Sequence, residues 1–188
     1  MTSPQIVWLR RDLRLADQPA FHAAAKVGPV IPVYVLDDAA AGDHAIGGAG
    51  RWWLHHSLGS LSRDLAEMGS RIVLRRGDAA QEIAKIAMEV GAKTVQAVRH
   101  YEPWWRAAQG RLAKEVDLVL HDGNYLLPIG AVTTGAGDPY KIYTPFSKAL
   151  LEQMPPREPM PAPDALDAPA KWPNGDELTD WQLLPAKP

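Results

Sequence analysis

Cysteine is absent from this sequence of 188 residues, and its absence limits the chemistry available to the chain. Without cysteine there can be no disulfide bond, no thiolate metal ligand and no cysteine nucleophile. No uninterrupted apolar run reaches the roughly 18 residues of a membrane-spanning helix, so we expect no membrane span. The N-terminus lacks the basic-then-apolar pattern of a secretory signal, and together these absences favour a cytoplasmic protein.

A basic excess is also missing, because 22 aspartate and glutamate residues outnumber 20 lysine and arginine residues and give a net charge of -2. The basic residues are spread along the chain, with doublets at Arg10-Arg11 and Arg75-Arg76. A stand-alone nucleic-acid-binding domain usually has a basic excess or a clustered basic face. The composition therefore gives no independent support for DNA binding by this chain.

Familiar motifs for nucleotides, metals and nucleophiles are incomplete or absent. Gly48 and Gly50 begin a dinucleotide-binding pattern, but Trp53 takes the place of its third glycine, and no P-loop sequence occurs. His55 and His56 are adjacent on a predicted helix and diverge by about 100°, so they cannot chelate one ion. No G-x-S-x-G sequence occurs. We therefore assign no catalytic residue and no metal ligand.

Short apolar stretches alternate with helical patterns along most of the chain. The predicted strands are 5–9, 30–36, 71–75, 93–98 and 116–120, and the predicted helices are 19–26, 51–68, 79–90, 103–114 and 144–154. Asp17 is the expected N-cap of the first helix. Such alternation is typical of parallel strands joined by right-handed crossovers. It predicts a Rossmann-like α/β fold, an open five-stranded parallel sheet in the order 3-2-1-4-5 with helices on both faces.

Proline is concentrated towards the C-terminus, where residues 155–188 hold 9 of the 17 prolines. This composition is typical of a linker with little core of its own. We therefore divide the chain into an α/β domain at residues 1–154 and a Pro-rich interdomain linker at residues 155–188.

Charged and polar residues follow the predicted strands at their carboxyl ends, where open parallel sheets bind ligands. The candidate ligand-binding residues are Arg11, Asp37, Arg51, His100, Glu102 and Arg106. Arg51 is the expected first residue of the second helix, where the dipole adds positive potential, and nearby tryptophans offer planar surfaces. The alternative is a scaffold of strand-end arginines paired with Asp37, Glu102 and Asp122. For Arg11 the ligand-facing interpretation is favoured.

Several motifs occur in the order found in one known family. The stretch WLRRDLRLADQPAF occupies residues 8–21, and further matches lie at 32–37, 47–58, 76–78, 101–103 and 140–146. On these residues the chain resembles the DNA photolyase/cryptochrome family from residue 5 to about residue 154. It departs from the family's usual pattern at Gln18, where asparagine is common, and at Gly50, where serine or another small residue is common.

The resemblance implies that this chain is the N-terminal α/β domain of such a protein. In photolyases this domain holds an antenna chromophore, which passes excitation energy to FAD for light-driven repair of cyclobutane pyrimidine dimers. The FAD and the DNA-binding surface belong to a helical C-terminal domain, which we expect to be absent from this chain. We therefore expect the piece to be a catalytically inactive part of a lyase. Its expected partner is its own C-terminal domain, damaged DNA is contacted only through that domain, and the protein is a monomer.

The antenna implied by the resemblance is a deazaflavin or flavin mononucleotide, or there is none. Folate-binding members carry an Asn-Glu pair where this chain has Trp104 and Trp105, which disfavours methenyltetrahydrofolate. Deazaflavin-binding members match at Arg51 and at Glu102-Pro103, although His100 stands in place of an acid. A cryptochrome-like photoreceptor remains an alternative. A third is a free-standing α/β nucleotide-binding protein of the universal-stress or electron-transfer-flavoprotein type.

Overall fold

The computed structural model describes residues 2–185 as an α/β sheet domain with a long irregular C-terminal segment. The strands are β1 (Gln5–Leu9), β2 (Val30–Leu36), β3 (Val73–Arg76), β4 (Thr94–Val98) and β5 (Asp117–His121). The helices are α1 (Pro19–Ala25), α2 (Gly48–Glu67), α3 (Ala79–Val90), α4 (Pro103–Leu112) and α5 (Tyr143–Leu151). Short 3-10 turns lie at Gly42–His44 and Leu178–Trp181. Among the described helices, none combines the length and hydropathy that a membrane crossing requires.

The sheet has the predicted order, β3-β2-β1-β4-β5, and its neighbouring strands run parallel. The first strand is therefore central: Ile6 lies opposite Ile31 of β2 on one side and Val95 of β4 on the other. Each crossover returns the chain to the same end of the sheet. The carboxyl ends of all the strands consequently share one edge, which confirms the predicted fold class.

The apolar runs of the central strands arise because both faces of the sheet are covered. In β1, Val7 and Leu9 pack into the cluster that contains α1 and α2. Ile6 and Trp8 alternate with them and pack into the cluster that contains α3 and α4. Helices therefore cover both faces, as the sequence predicted, and every residue of β1 is buried.

The starts of two helices differ from the sequence-based expectation. Gln18, not Asp17, is the N-cap of α1, and its side chain accepts a hydrogen bond from the Ala20 N–H. Asp17 instead lies at φ 50°, in the left-handed region. Helix α2 begins at Gly48, so Arg51 lies in its first turn rather than at its first position, and its N–H donates to the Gly47 carbonyl at 2.9 Å.

The proline-rich segment packs against the sheet domain, a feature that its composition does not reveal. Leu166, Trp181 and Leu183 are buried in the α1–α2 side of the core. The Val30 N–H donates to the Asp167 carbonyl at 2.9 Å, and the Asp176 N–H donates to the Leu74 carbonyl at 2.8 Å. The segment thus contributes side chains to the core and forms backbone hydrogen bonds with β2 and β3. Residues 186–188 of the predicted linker lie outside the described residues.

Candidate functional site at the carboxyl edge of the sheet

One group of charged residues joins the ends of β1 and β4, and we call it the β1–β4 cluster. Arg11 Nη1 lies 2.7 Å from Glu102 Oε1, and Glu102 Oε2 lies 3.7 Å from His100 Nδ1. On its other side, His100 Nε2 lies 3.3 Å from Asp12 Oδ1. Burial acts to raise the pKa of Glu102, but backbone hydrogen bonds and Arg11 outweigh it and hold that pKa below its usual value. Three of the predicted site residues, Arg11, His100 and Glu102, therefore meet here.

The inner end of this cluster is buried beneath the sheet edge. Burial alone would raise the pKa of Asp12, yet a hydrogen bond from His100, the charge of Arg10 and a hydrogen bond from Gln18 bring it below its ordinary value. The Arg10 guanidinium lies 4.2 Å from the Trp8 ring centroid and 5.8 Å from that of Trp105. Its Nη2 donates to the Val98 carbonyl. Burial lowers the pKa of Arg10 to about 10, so both groups remain charged near neutral pH.

A second group of charges, the β2–α2 cluster, lies beside the first. Arg51 Nη2 lies 2.6 Å from Asp38 Oδ1, and Arg76 Nη2 lies 3.5 Å from Asp38 Oδ2. The Tyr34 phenol lies in the field of both clusters, and its burial, followed by the charge of Asp38, raises its pKa. A cation in the first turn of a helix opposes the helix dipole. Asp38 supplies the compensating negative charge.

Beside these clusters the edge of the sheet opens into a cleft of about 460 Å³. Its lining residues are Leu36, Asp37, Asp38, Ala39, Ala40, Arg76, Gly77, Asp78, Trp104, Ala107 and Arg111. A smaller recess of about 70 Å³ adjoins it, shares Trp104 with it and reaches inward to Arg10, Arg11 and Tyr34. His44, on the loop before α2, stacks on Trp104 with ring centroids 5.7 Å apart and planes 19° apart.

The remaining predicted site residues have different surroundings. Asp37 lines both cavities, but its oxygens already accept backbone N–H groups of Ala40 and Ala79, each at 3.0 Å. Arg106 is exposed on α4 and is not among the described residues that line either cavity. The structure thus brings Arg11, His100 and Glu102 together, places Arg51 in the β2–α2 cluster and Asp37 at the cleft, and leaves Arg106 apart. Like Arg106, the side chains of Arg51, His100 and Glu102 line neither cavity among the described residues.

Several lining residues were not selected from the sequence. Asp38 follows the selected Asp37 directly, and doubling of an acid at a strand end is the signal that could have drawn attention to it. Arg76 and Asp78 flank Gly77 at the end of β3, another charged strand end. Arg111 carries no such signal, since it lies late in α4 and reaches Asp78 across the cleft at 2.6 Å.

The described residues of this edge supply an aromatic face and charged side chains of both signs. Among residues 2–185, no group of three histidine, aspartate or glutamate side chains could hold a metal ion. The imidazole planes of His55 and His56, the adjacent histidines of α2, are inclined at 85° to each other. An aromatic face with charged groups of both signs around it suits a planar ligand that carries polar atoms at its rim.

Comparison with known proteins gives a consistent picture. A family model described as DNA photolyase matches residues 5–164. The chain is 41% identical to a deoxyribodipyrimidine photo-lyase of Agrobacterium fabrum, with the alignment covering 100% of this chain and 40% of the relative. Cryptochrome-1 of Arabidopsis thaliana is 30% identical over 78% of this chain and 22% of its own length.

Solved structures agree with the sequence relatives. A bacterial class III photolyase from Agrobacterium tumefaciens superposes with a TM-score of 0.91 at 41% identity, covering 100% of this chain and 40% of that one. A cryptochrome of Synechocystis superposes at 0.80 with 22% identity, which shows the shared fold alone. The chain thus spans about two fifths of the length of the photolyases it matches. On the match across residues 5–164 and these relatives, the chain belongs to the DNA photolyase family.

Proposed function

We propose that the chain is the N-terminal, antenna-binding part of a deoxyribodipyrimidine photolyase, a lyase that repairs cyclobutane pyrimidine dimers with light. The observation that carries the proposal is the cleft lined by Trp104 at the ligand-binding edge of the sheet. Identity of 41% along the whole chain to the Agrobacterium photolyase supports it. The complete protein would be a cytoplasmic monomer that contacts damaged DNA through a second, helical domain.

The residues around the cleft fit a flavin or deazaflavin. A volume of about 460 Å³ lies within the range of roughly 300–1,000 Å³ that small-ligand pockets occupy. The Trp104 ring offers a stacking surface, and each stacked ring system gains about 1–3 kcal/mol. Arg76 and Arg111, both half exposed, could reach an anionic tail. Of the predicted residues, Asp37 lines the cleft and the recess and Arg11 lines the recess, whereas Arg51, His100 and Glu102 line neither and would act through Asp38 and Arg11. Arg106 is a weaker candidate.

The protein's own contribution is to orient the ligand. When bound, the antenna would absorb light and pass excitation energy to FAD held by the second domain. The ion-paired β1–β4 and β2–α2 clusters fix the positions of charged groups before the ligand arrives, which reduces the ordering that binding requires. Trp104 and Trp105 stand where folate-binding relatives carry an Asn-Glu pair. We therefore propose flavin mononucleotide or a deazaflavin rather than methenyltetrahydrofolate.

A cryptochrome-like photoreceptor is the second candidate function. The observation that favours it is the 30% identity to Cryptochrome-1 of Arabidopsis thaliana over 78% of this chain. The match to the Agrobacterium photolyase is closer and covers the whole chain. We therefore prefer the photolyase, and dimer repair by the complete protein would decide between them.

Titration of the purified chain with flavin mononucleotide and with a deazaflavin tests the antenna proposal, with tryptophan quenching as the readout. We expect saturable binding, and we expect Arg51→Ala to weaken it about tenfold, because Asp38, which lines the cleft, then loses the charge-assisted contact with Arg51 at 2.6 Å and repels an anionic ligand. Arg63→Ala, an exposed arginine of the same helix, is the matched control and should leave the affinity unchanged. Absence of binding at high micromolar ligand, or equal affinity in both variants, would refute the proposed role of this cleft.

A further inference from the structure

Arg10 is a buried cation whose hydrogen bonds are incomplete. It follows β1 directly, and the residue is 2% exposed. Its Nη2 donates to the Val98 carbonyl, whereas its Nε and Nη1 have no hydrogen-bond partner among the described residues. A buried donor without an acceptor is costly, and more so when the donor is charged. The free N–H groups of Arg10 therefore require an acceptor that residues 2–185 do not supply.

The carboxylates nearest to this guanidinium are engaged with other donors. Asp12 Oδ1 accepts the backbone N–H of Arg10 at 2.9 Å, and Asp12 Oδ2 accepts the Gln18 side-chain amide at 2.6 Å. Glu102 is paired with Arg11 at 2.7 Å. Both acids favour the Arg10 cation through their charge. Neither of them accepts a hydrogen bond from its side chain, so this cation has no direct ion-pair partner among the described residues.

Two indole N–H groups beside Arg10 are also free. The guanidinium carbon lies 4.2 Å from the Trp8 ring centroid and 5.8 Å from that of Trp105. Nε1 of each tryptophan is buried and has no hydrogen-bond partner among the described residues. The ring faces attract the cation, but indole and guanidinium nitrogens donate hydrogen bonds and accept none. Arg10, Trp8 and Trp105 thus form what we call the donor group, a buried set of donors without an acceptor.

The inner recess offers room for an acceptor next to the donor group. Its volume is about 70 Å³, and both Arg10 and Trp105 line it. One water molecule takes up about 30 Å³ in the liquid, so the recess suits a small ion. It is far below the roughly 300 Å³ at which pockets for organic ligands begin. Size therefore favours a monatomic or similarly small occupant.

Two acids also line the recess, and each already has compensating partners. Asp37 accepts two backbone N–H groups, each at 3.0 Å. Asp38 lies 2.6 Å from Arg51 Nη2 and 3.5 Å from Arg76 Nη2. Arg10 is instead a lining cation whose counter-charges act only from a distance. A negative occupant is therefore favoured on the Arg10 side of the recess.

We propose that the recess binds a small monovalent inorganic anion, such as chloride, which accepts hydrogen bonds from Arg10 and Trp105. The anion supplies the acceptor that these donors lack and places a negative charge against a buried cation. Hydrogen bonds between charged partners are about twice as strong as neutral ones. The inference goes beyond the antenna proposal, and it does not depend on which ligand occupies the larger cleft.

Thermal unfolding of the purified chain tests the proposal, in sodium chloride and in sodium gluconate at equal ionic strength. Gluconate is too large for the recess, so it controls for general effects of salt. An anion that binds the folded state alone stabilises that state. We expect the thermal midpoint to rise with chloride until it saturates, about 2–4 °C above its value in gluconate. Equal midpoints in the two salts would overturn the proposal, because water would then satisfy the donors.

Trp105→Phe removes one donor of the recess and keeps an aromatic ring at that position. We expect half-saturation of the chloride effect to require about tenfold more chloride in this variant, because a hydrogen bond to a charged partner is lost. Trp53→Phe is the matched control, since Trp53 is 68% exposed on α2. It should leave the chloride dependence unchanged. Chloride dependence that is equal in Trp105→Phe and wild type would also overturn the proposal.

A crystal of the chain soaked in sodium bromide locates the anion directly through anomalous scattering. We expect a bromide peak in the recess, within hydrogen-bonding distance of Arg10 and Trp105. Bromide peaks that all lie outside the recess would overturn the proposal even if chloride stabilises the chain. These measurements contain no flavin, so they are independent of the antenna titration. Chloride dependence without flavin binding would remove the antenna role alone, and the converse result would remove the anion site alone.

Discussion

Arg11 and Glu102 form an ion pair, with 2.7 Å between Nη1 and Oε1, that bridges the ends of β1 and β4. Because the Arg11 side chain is 63% exposed, such a pair contributes no more than about 1 kcal/mol. A ligand anion could therefore replace Glu102 as the partner of Arg11 at little cost. The salt-bridge and ligand-binding interpretations of Arg11 are thus compatible with each other.

Asp12→Asn is expected to destabilise the fold by about 1–3 kcal/mol, because the buried carboxylate that accepts hydrogen bonds from the Arg10 N–H and the Gln18 side chain, and whose charge favours the Arg10 cation, becomes a neutral amide. The measurement is urea unfolding at pH 7. Asp64→Asn, at an exposed position on α2, is the control and should stay within about 0.5 kcal/mol of wild type. A similar small effect at Asp12 would show that the charge of this buried carboxylate adds little.

The difference in stability between wild type and Asp12→Asn should also depend on pH. The folded state lowers the pKa of Asp12 below its unfolded value. A depressed carboxyl pKa contributes stability that is fully present above the unfolded pKa of about 3.9 and is lost as pH falls through the folded pKa. The stability difference between wild type and Asp12→Asn should therefore shrink as the pH is lowered from 5 towards 2. A difference that stays constant over this range would contradict the assignment.

Trp181→Ala should cost about 3–5 kcal/mol, as truncation of a buried aromatic side chain does. Trp181 is 4% exposed, its ring centroid lies 6.0 Å from that of Tyr34, and its Nε1 donates to Asp176 at 3.0 Å. Leu184→Ala, which is 41% exposed in the same segment, should change the unfolding free energy by less than about 0.5 kcal/mol. Equal small effects would mean that the segment behaves as a detached linker.

The C-terminal segment shows where inference from sequence stops. The apolar runs of β1 and β2 determine their burial on both faces, and strand alternation determines the order of the sheet, so both were predictable. Packing of residues 155–185 was not predictable from composition. Prolines are frequent in linkers, but here Leu166 and Trp181 lie between them and reach the core. Such isolated apolar residues carry no periodicity from which burial could be read.

The meeting of charged residues at one edge of the sheet was predictable, but the contacts of each side chain were less so. Parallel topology alone brings the ends of β1, β2 and β4 to one edge, which is why all six candidate residues were expected at one rim. Arg11, His100 and Glu102 are the three that contact one another there. Side-chain direction is not encoded in that topology. Arg106 is exposed and lines neither cavity among the described residues, while Arg111, one to two turns later, reaches Asp78. Loop conformation is equally hidden, and it places His44 on Trp104.

The isolated chain is expected not to repair DNA. The family resemblance assigns the FAD and the DNA-binding surface to the second domain, and the chain's net charge of -2 gives it no general attraction for phosphates. The measurement is illumination of the chain with added FAD and an oligonucleotide that contains a cyclobutane dimer. Reversal should not exceed that of illuminated FAD alone. Catalytic turnover above this background would contradict the proposed division of roles.

The stack between His44 and Trp104 leads to a prediction about ligand affinity. The two rings are nearly parallel, 19° apart in plane, and Trp104 lines both the cleft and the inner recess. A planar ligand that uses this face of Trp104 must displace His44. Aromatic pairs of this kind contribute about 0.5–1.5 kcal/mol, which the ligand has to overcome.

His44→Ala should therefore tighten binding of flavin mononucleotide or a deazaflavin about threefold to tenfold, because the competing ring is gone. Trp104→Ala should instead weaken it about tenfold, because the stacking surface itself is lost. The two affinity changes have opposite directions, so they distinguish a residue that competes with the ligand, His44, from one that contacts it, Trp104. His56→Ala is the control, since His56 packs on Trp52 with ring centroids 4.3 Å apart and lines neither cavity among the described residues. Titration followed by flavin fluorescence measures all three, and weaker binding in His44→Ala would show that His44 contacts the ligand instead of competing with it.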